Sequence, residues 1–452
     1  MAAVPAKTLD EIVTLANKSA ISLVRFLYCD TSSIIRGKAT RTERLKDRLE
    51  SGIGLVKGMM AMNMLDQMQT DTGLNATGEV RLIPDPETWV VLPYAERSAA
   101  MICDLIQLDH TPWSLCPRSL LKRQIEKAKD MGVSFQVAFE PEFTLGTLDN
   151  DQFVAIDRSL CFSSEGMNRA SKFINRFIDC LERQNIEVEQ YYPELGHGQH
   201  ELSIRHTNAL RACDRHIQYR ETLRGVAYEL SMEAYMAPKP FNNQAGNGCH
   251  LHLSAWDIYG ERNLFWAENG LSEFGRYFVA GLLEHLPGLV ALTCSSVNSY
   301  RRLKPKSWSS AFTCWGFENR EAAIRIPSTY WGQEMASCNI EIKCVDSSCN
   351  PYLALGAVIA CGLDGVKRQL PLPPPVEADP STLSEDEKAT MKIHRLPTNL
   401  HEAVIEMEED KLLMDILGEE FARAFINVKV SEAGAFAGAN EEFELAQHRN
   451  KF

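Results

Sequence analysis

Acidic, basic and imidazole side chains share one face of four short segments that alternate like β-strands. Side chains at positions i and i+2 lie on the same face of a strand. The four segments are 135–142 with Glu140 and Glu142, 200–205 with Glu201, Ser203 and Arg205, 249–253 with His250 and His252, and 340–343 with Glu341 and Lys343. Glu142 joins this face if Pro141 leaves its strand intact. Each segment alone also fits an amphipathic strand with a solvated polar face.

Taken together, the four segments predict a sheet whose polar face carries carboxylates, histidines and cations. Such a surface repels itself unless metal ions neutralise it. A donor set rich in carboxylates and poor in imidazole favours Mg²⁺ or Mn²⁺ over zinc. Protein-bound Mg²⁺ usually completes its coordination with water and substrate phosphates. The segments therefore indicate a nucleoside triphosphate substrate.

Two arginine pairs agree with a phosphate-binding site. Arg301 and Arg302 are adjacent, and Arg320 and Arg325 follow within the next 25 residues or so. Guanidinium groups suit bidentate binding of carboxylates and phosphates, and surface salt bridging is the alternative. The chain contains no Gly-x-x-x-x-Gly-Lys-Ser/Thr loop, no dinucleotide fingerprint and no His-Glu-x-x-His motif. A different architecture must therefore bind ATP.

Composition excludes several other classes of protein. The formal net charge is -13, with 47 basic and 60 acidic residues, which argues against nucleic-acid binding. None of the 13 cysteines forms a Cys-x-x-Cys pair, which is typical of reduced thiols in a cytoplasmic protein. No signal peptide and no membrane span is predicted, so we expect a cytoplasmic protein that does not bind membranes.

The elements that must position these side chains change in character near residue 112. Strand patterns bounded by turns dominate the region before it, whereas helical apolar stripes occupy 168–183 and 209–234. Residues 370–380 are proline-rich and predict a loop, and 399–429 are helical. The sequence predicts two domains, 1–112 and 113–452.

These segments, in this order, resemble the glutamine synthetase family over about residues 20–430. The matching motifs are Phe139-Glu140-Pro141-Glu142, Gln199-His200-Glu201, Ala237-Pro238-Lys239-Pro240, Gly246-Asn247-Gly248-Cys249-His250-Leu251-His252, Asn298-Ser299-Tyr300-Arg301-Arg302-Leu303, Asn319-Arg320 through Arg325-Ile326-Pro327, Glu341, and Asn350-Pro351-Tyr352-Leu353. The resemblance implies an α+β fold. Its parts are a small N-terminal β-grasp domain at 1–112 and a larger catalytic domain at 113–452, with a curved antiparallel sheet and surrounding helices.

The resemblance also implies two or more metal ions, Mg²⁺ or Mn²⁺, and a set of binding residues. One ion is assigned to Glu142, Glu194 and Glu201, and the other to Glu140, His250 and Glu341. The substrate and catalytic positions are Gly246 and Arg302 for glutamate, His252 for the nucleotide, and Arg320, Arg325 and Lys343 for the phosphates of ATP. The implied reaction phosphorylates the γ-carboxylate of glutamate and then transfers the acyl group to an amine. Members of the family assemble as stacked rings, which implies a homo-oligomer, a dodecamer or a decamer.

Two departures from the family concern the amine. Ammonia-using members carry a glutamate six positions after the arginine that matches Arg302, and here that position is Trp308. Their Asp-Gly-Ser-Ser segment is also missing, and residues 59–66 read Met-Met-Ala-Met-Asn-Met-Leu-Asp instead. A shifted alignment could let Asp66 or Glu318 substitute. Fewer anionic partners weaken a site for a small hydrated cation, whereas Trp and Met offer apolar contact.

We therefore expect an ATP-dependent glutamate–amine ligase that acts on a mono- or polyamine, with Trp308 contacting the amine. An ammonia-using glutamine synthetase is the alternative within the family. A non-catalytic structural or regulatory relative is the alternative from another class, although all six predicted metal ligands are present. A guanidino kinase is a third alternative, and the Glu-Pro-Glu and His-Leu-His motifs argue against it.

Overall fold

A six-stranded sheet forms the N-terminal part of the protein, in a computed structural model that describes residues 8–452. Its strands are β1 (Leu23–Cys29), β2 (Ile35–Arg41), β3 (Ile53–Val56), β4 (Glu79–Pro84), β5 (Val90–Val91) and β6 (Ser98–Ile106). The order is β2-β1-β6-β4-β3, with β5 also on β6. Only β1 and β6 pair in parallel among these strands. In β4, Val80 and Leu82 are buried and alternate with more exposed neighbours, as a half-covered sheet requires.

A second, ten-stranded sheet organises the rest of the chain. The remaining strands are β7 (Val133–Asp149), β8 (Gln152–Ala155), β9 (Val188–Pro193), β10 (Gln199–Ile204), β11 (Thr207–Asn208), β12 (Glu233–Tyr235), β13 (Cys249–Asp257), β14 (Trp266–Ala267), β15 (Gly270–Leu271), β16 (Trp315–Phe317), β17 (Ile324–Ile326) and β18 (Ile340–Ile342). The order is β16-β17-β18-β13-β7-β10-β9, and β8, β11 and β12 also pair with β7. Strands β14 and β15 form a separate hairpin. The long strand β7 is therefore the centre of the sheet.

Helices pack around both sheets. They are α1 (Leu9–Lys18), α2 (Leu45–Ser51), α3 (Pro117–Asp130), α4 (Ser164–Glu182), α5 (Ala209–Glu229), α6 (Glu273–Thr293), α7 (Ser299–Arg302), α8 (Glu334–Ser337), α9 (Pro351–Arg368), α10 (Glu385–Thr390), α11 (Leu400–Glu409), α12 (Lys411–Leu417), α13 (Glu419–Phe436) and α14 (Glu441–Arg449). Helix α9 is buried along nearly its whole length and packs against α6 and α3. No helix within residues 8–452 is long and apolar enough to cross a bilayer.

The predicted α+β class is confirmed, and so are the two helical stripes, which form α4 and α5 and face the core. The helical region predicted at 399–429 is instead divided into α11, α12 and α13. Asp410 caps α12 by accepting a hydrogen bond from the amide of Leu413, and Gly418 ends it with a φ of 76°. The division of the chain at residue 112 stays a prediction.

Buried charges join the two sheets. Arg118, at the start of α3, is 2% exposed and bonds three aspartates, Asp85, Asp104 and Asp214. Asp85 and Asp104 come from the N-terminal sheet region and Asp214 from α5, so this one guanidinium connects both parts of the protein.

Candidate active site

Strand register brings the predicted site residues onto one patch of the large sheet. Glu140 of β7 lies opposite His250 of β13, and His252 lies opposite Glu341 of β18. On the other side of β7, Glu142 lies opposite Glu201 of β10. Strand β7 continues through Pro141, so the condition set for Glu142 is met. The alternating pattern in these strands, with apolar residues toward the core, is what orients the charged side chains together.

Three of the predicted ligands form a compact group. Single ligand atoms of Glu140, His250 and Glu341 all lie within 4.8 Å of one another. The Nδ1 atom of His250 is 3.3 Å from a carboxylate oxygen of Glu341 and 3.6 Å from one of Glu140. It is the only group of this kind with three or more candidate ligands in residues 8–452. Two carboxylates and one imidazole at this spacing suit a divalent cation.

The protonation states of this group favour metal binding. Burial lowers the pKa of His250 to about 4, and Lys343 adds to the effect, so the imidazole is neutral and can act as a ligand. Burial opposes ionisation of Glu341, but Lys343 and the two histidines outweigh it and lower its pKa to about 2. The pKa of His252 shifts in the opposite direction. Burial lowers this pKa, but the negative charge of Glu140 outweighs burial and raises the pKa of His252 to about 9. Two neighbouring imidazoles on one strand thus carry different charges.

The other three predicted ligands lie together as carboxylates with few cationic partners. Burial raises the pKa of Glu142 to about 7, and repulsion from Glu194 adds to it. Burial and repulsion from Glu140 and Glu142 hold the pKa of Glu201 well above its usual value. No Lys, Arg or His nitrogen lies within 4.0 Å of Glu142, Glu194 or Glu201 in the part of the chain that the structure describes. Arg302 and Lys343 act on Glu142 and Arg320 acts on Glu194 from farther away, so no direct ion pair within residues 8–452 neutralises these carboxylates.

A glycine lies between the two ligand sets. A Cβ atom added at Gly248 would lie 2.9 Å from His250 Nε2 and 3.0 Å from a carboxylate oxygen of Glu142. A side chain at residue 248 would therefore fill the space between His250 and Glu142. The donors are hard carboxylate oxygens with a single neutral imidazole, a set that Mg²⁺ and Mn²⁺ prefer. The residues present therefore fit the predicted divalent cations.

Neighbouring polar residues hold the carboxylates in place. The amide of Gln199 donates to Glu142 at 2.7 Å and to the carbonyl of Gly246 at 2.9 Å. The Tyr192 hydroxyl donates to Glu201. His252 bonds the side chain of Asn339 at 3.0 Å. In the sequence, Gln199 belongs to a recognised motif but has no predicted role, and Tyr192 and Asn339 were not predicted. No periodic pattern distinguishes a polar residue that supports a site from any other polar residue.

Arg302, predicted to bind the α-carboxylate of glutamate, is a buried cation without an acidic partner among residues 8–452. It is 4% exposed and donates to the carbonyls of Lys343 and Val345 at 3.1 and 2.6 Å. Its Nε is buried without a hydrogen-bond partner. Gly246 packs against it, since a Cβ at Gly246 would be 2.9 Å from Arg302 Cγ. Both predicted glutamate-binding residues are therefore adjacent, and a side chain at residue 246 would displace the guanidinium.

Two of the three predicted phosphate-binding cations lie beside Glu341. Arg325 forms an ion pair with Glu341 at 2.5 Å, and the Lys343 ammonium lies 3.6 Å from the same carboxylate. Lys343 also reaches His250 at 3.4 Å. Arg320 is exposed, and its charge acts on Glu194, where it opposes the rise in pKa that burial causes. Arg301 instead pairs with Glu444 at 2.6 Å, so this arginine has the structural role considered as the alternative.

The residues that distinguish the chain from ammonia-using members differ from one another in solvent exposure. The Trp308 side chain is 56% exposed, on a loop that follows Arg302. Met60 and Met64 of the Met-rich stretch are 0% and 2% exposed and belong to the core, whereas Met59 and Met62 are half-buried. Asp66 is bonded to Arg36 at 2.7 Å. Trp308 is thus the residue on which the predicted preference for an organic amine depends.

Family models and relatives agree with this geometry. A model described as the glutamine synthetase catalytic domain matches residues 114–448, and one described as the glutamine synthetase N-terminal domain matches residues 8–113. The chain belongs to the glutamine synthetase family. It is an ATP-dependent ligase of that family.

Relatives with different amines are similar to the chain to almost the same degree. A gamma-glutamylpolyamine synthetase of Streptomyces coelicolor is 34% identical over 430 residues, which cover 94% of this chain and 92% of that protein. A type-1 glutamine synthetase of Dictyostelium discoideum is 32% identical over 452 residues, covering 94% and 89%. A solved structure of a novel glutamine synthase homologue superposes with a TM-score of 0.85 at 31% identity, covering 96% and 99% of the two chains. A complex of GmaS with ADP gives 0.84 at 26% identity, covering 97% and 99%.

Proposed function

We propose that the chain joins the γ-carboxylate of glutamate to an organic amine, a mono- or polyamine, and forms a γ-glutamyl amide, ADP and phosphate. The observation that carries this proposal is Trp308, an exposed aromatic side chain at the position where ammonia-using members have a carboxylate. An indole attracts alkyl groups by apolar contact and ammonium groups through its π face. The similarity to a gamma-glutamylpolyamine synthetase supports the same class of substrate.

In the first half-reaction the chain orients glutamate and ATP. Arg302 binds the α-carboxylate of glutamate, because its buried guanidinium has a free Nε and no acidic partner in the described residues. Gly246 lines the same pocket. His252, held by Asn339, contacts the nucleotide. The γ-carboxylate then attacks the γ-phosphorus of ATP, and ADP leaves.

Charge on the transferred phosphoryl group is offset by cations of this chain. Arg320, Arg325 and Lys343 face the phosphates, where fixed positive charge stabilises the loose transition state of phosphoryl transfer. Two Mg²⁺ or Mn²⁺ ions, when bound, neutralise the phosphate oxygens and bring ATP to the carboxylates. Glu142, Glu194 and Glu201 would hold one ion, and Glu140, His250 and Glu341 the other.

In the second half-reaction a neutral amine attacks the acyl carbon of γ-glutamyl phosphate. Phosphate leaves, and the attacking nitrogen loses a proton to give the amide. An acyl phosphate hydrolyses readily, so water has to be excluded from the site. We further propose a cytoplasmic homo-oligomer of stacked rings, a dodecamer or a decamer, as its family relationship suggests.

Phosphate release from ATP and glutamate with a panel of amines tests the proposal. The panel contains ammonium, methylamine, ethanolamine, isopropylamine, aniline, putrescine and spermidine. Faster release with one of the organic amines than with ammonium is expected, and mass spectrometry of the γ-glutamyl amide confirms the product. Trp308→Glu restores the carboxylate and should shift the preference toward ammonium, whereas Trp308→Phe keeps an aromatic ring and should not.

The glutamine synthetases among the relatives favour ammonia as the second candidate. Release that is fastest with ammonium would establish that candidate and remove the interpretation of Trp308. If no amine causes phosphate release, both candidate functions would be replaced by activity on another carboxylate substrate or by a non-catalytic role.

A further inference from the structure

The segment that carries Trp308 has an unusual backbone. In residues 303–310, which we call the Trp308 loop, Lys306, Trp308 and Ser310 have φ values of 60°, 52° and 67°. Non-glycine residues in the left-handed region each cost on the order of 1 kcal/mol or more, and they persist only where surrounding contacts hold them. Three of them within five residues mean that specific contacts must fix this loop.

Side-chain contacts at the C-terminal end of the loop account for part of that restraint. The hydroxyl of Ser309 donates to the carbonyl of Arg302 at 2.6 Å. The hydroxyl of Ser310 donates to the carbonyl of Ala322 at 2.7 Å. Both serines are buried. The C-terminal end of the loop is therefore bonded both to the backbone of the predicted glutamate-binding arginine and to the chain that leads into β17.

At its centre the loop is held by one carboxylate, Glu321. The amide N–H of Trp308 donates to Glu321 at 2.9 Å, and the backbone of Lys306 bonds the same carboxylate. These are two of the three residues with positive φ, so the carboxylate binds the amides that the left-handed turns present. Hydrogen bonds to a charged acceptor contribute about 1.5–3 kcal/mol, enough to offset much of the backbone cost.

Glu321 also lies beside the phosphate-binding residues. It follows Arg320 directly and precedes Arg325 on the way into β17. The charge of Lys343 acts on its carboxylate. Its contacts therefore join the loop that carries the proposed amine-binding residue to the chain that carries the proposed phosphate-binding residues.

We propose that Glu321 is a positioning residue, which holds the Trp308 loop in the conformation that presents the indole to the amine and excludes water from γ-glutamyl phosphate. It acts through the backbone of Lys306 and Trp308 and does not touch the reacting atoms. The inference rests on the proposed function for the role of the loop. It goes beyond that function by assigning the control of water to a residue outside the predicted binding set.

The test compares Glu321→Ala, which removes the acceptor, with Glu321→Gln, which keeps an oxygen in the same place. Glu377→Gln, an exposed residue on the 370–380 loop, is the matched control. The first readout is hydrogen–deuterium exchange of a peptide that spans residues 303–311, which needs no substrate. The second is the ratio of phosphate released to amide formed, with saturating amine.

Glu321→Ala should exchange about tenfold faster in this peptide, as expected for the loss of a hydrogen bond to a charged acceptor. It should also release more phosphate than amide, because water competes for the acyl phosphate. Glu321→Gln keeps an acceptor but loses the charge, so both of its readouts should lie between those of the wild type and Glu321→Ala, and Glu377→Gln should match the wild type.

Three results would overturn the inference: unchanged exchange in Glu321→Ala, equal amounts of phosphate and amide in that variant, or Glu321→Gln as impaired as Glu321→Ala. The exchange readout does not depend on which amine is used, and the ratio can be measured with ammonium. Failure of the amine panel would therefore refute the proposed function and leave this test intact.

Discussion

Two buried arginines, Arg118 and Arg302, have opposite surroundings. Arg118 bonds Asp85, Asp104 and Asp214 at 2.6–3.1 Å, and Asp214 also accepts from the hydroxyl of Tyr352. Arg302 is equally inaccessible to solvent, yet it has only two backbone carbonyls and an unbonded Nε. Burying a charge is costly unless it is paired. Arg118 is neutralised by the fold, whereas Arg302 has no acidic partner within residues 8–452, which is what the proposed binding of a substrate carboxylate requires.

The carboxylates of the two regions differ in the same way. Around Arg118, Lys122 and Arg211 supply further cations to the aspartates. At the candidate site, burial and mutual repulsion raise the pKa values of Glu142 and Glu201. Charge balance within the chain therefore distinguishes a structural cluster from a ligand-binding one, although both are buried and both contain several acids.

The largest expected effect is on stability at the structural cluster. Arg118→Ala leaves Asp214 buried and unpaired, so the free energy of unfolding should fall by about 3–5 kcal/mol. Urea denaturation measures the change. Lys122→Ala, at the more exposed edge of the cluster, is the control and should cost under about 1 kcal/mol. Similar losses for both variants would contradict a special role for Arg118.

At the candidate site the large effect should be on catalysis. Glu341→Ala removes a predicted metal ligand and the partner of Arg325, so phosphate release should fall about 10²–10³-fold at any amine concentration. Because Glu341→Ala also leaves the buried Lys343 without its carboxylate partner, activity is compared at a temperature at which thermal unfolding shows the variant to be folded. Glu268→Ala, on the exposed β14–β15 turn, serves as control. Near-normal turnover of Glu341→Ala would exclude it as a metal ligand.

Divalent cations should supply the charge that the site lacks. A free Mg²⁺ concentration about 100-fold above its Kd should stabilise the folded protein by about 2.7 kcal/mol, provided the ion does not bind the unfolded chain. Thermal unfolding with increasing Mg²⁺ or Mn²⁺ measures this, and His250→Ala should reduce the shift. An equal shift in His250→Ala would place the stabilising ion elsewhere.

Removing Arg302 should affect one substrate more than the other. The lost charge-assisted contact to an α-carboxylate is worth about 1.5–3 kcal/mol, so Arg302→Ala should raise the KM for glutamate about 10- to 100-fold. The KM for ATP should change far less. Steady-state kinetics with each substrate varied in turn decides this, and equal effects on both would remove the assigned role.

The smallest expected effect concerns a histidine and two aspartates whose contribution to stability depends on pH. His285 bonds Asp410 at 2.6 Å and Asp364 at 3.2 Å, and these aspartates overcome the effect of burial and raise the pKa of His285. The pKa of Asp410 is lowered in turn by His285.

A raised histidine pKa stabilises the fold fully below about pH 6.5 and loses this contribution as the pH rises through the folded-state value. The contribution of Asp410 disappears only in acid, as the pH falls below about 4. His285→Gln should therefore cost about 1 kcal/mol near pH 5.5 and less near pH 9. A cost that is independent of pH would contradict the charged pairing.

The strands of the site could be predicted because their pattern is local. Alternation alone places Glu140, Glu201, His250 and Glu341 on polar faces of strands, and β7, β10, β13 and β18 have that geometry. The register that sets these faces beside one another depends on strand pairing far apart in the chain, and the family resemblance supplied it.

Other features depend on tertiary packing and left no local signal. Met60 and Met64 are core residues, although the sequence is equally consistent with a methionine-lined pocket. Glu321 looks like any surface glutamate until the left-handed turns at Lys306 and Trp308 direct their amides toward it. The break of the helical region 399–429 needed the combined effect of Asp410 and Gly418.

The central position of β7 has a consequence for how the protein is made. Its partners β10 and β13 lie later in the chain, and β18, which pairs with β13, lies later still, so the ribosome delivers Glu140 long before Glu341. Contacts between segments so distant in sequence form slowly and late in folding. A nascent chain that ends before β18 has two members of the Glu140, His250 and Glu341 group and no third. Under the proposed function, this metal site would therefore stay incomplete until synthesis has passed β18.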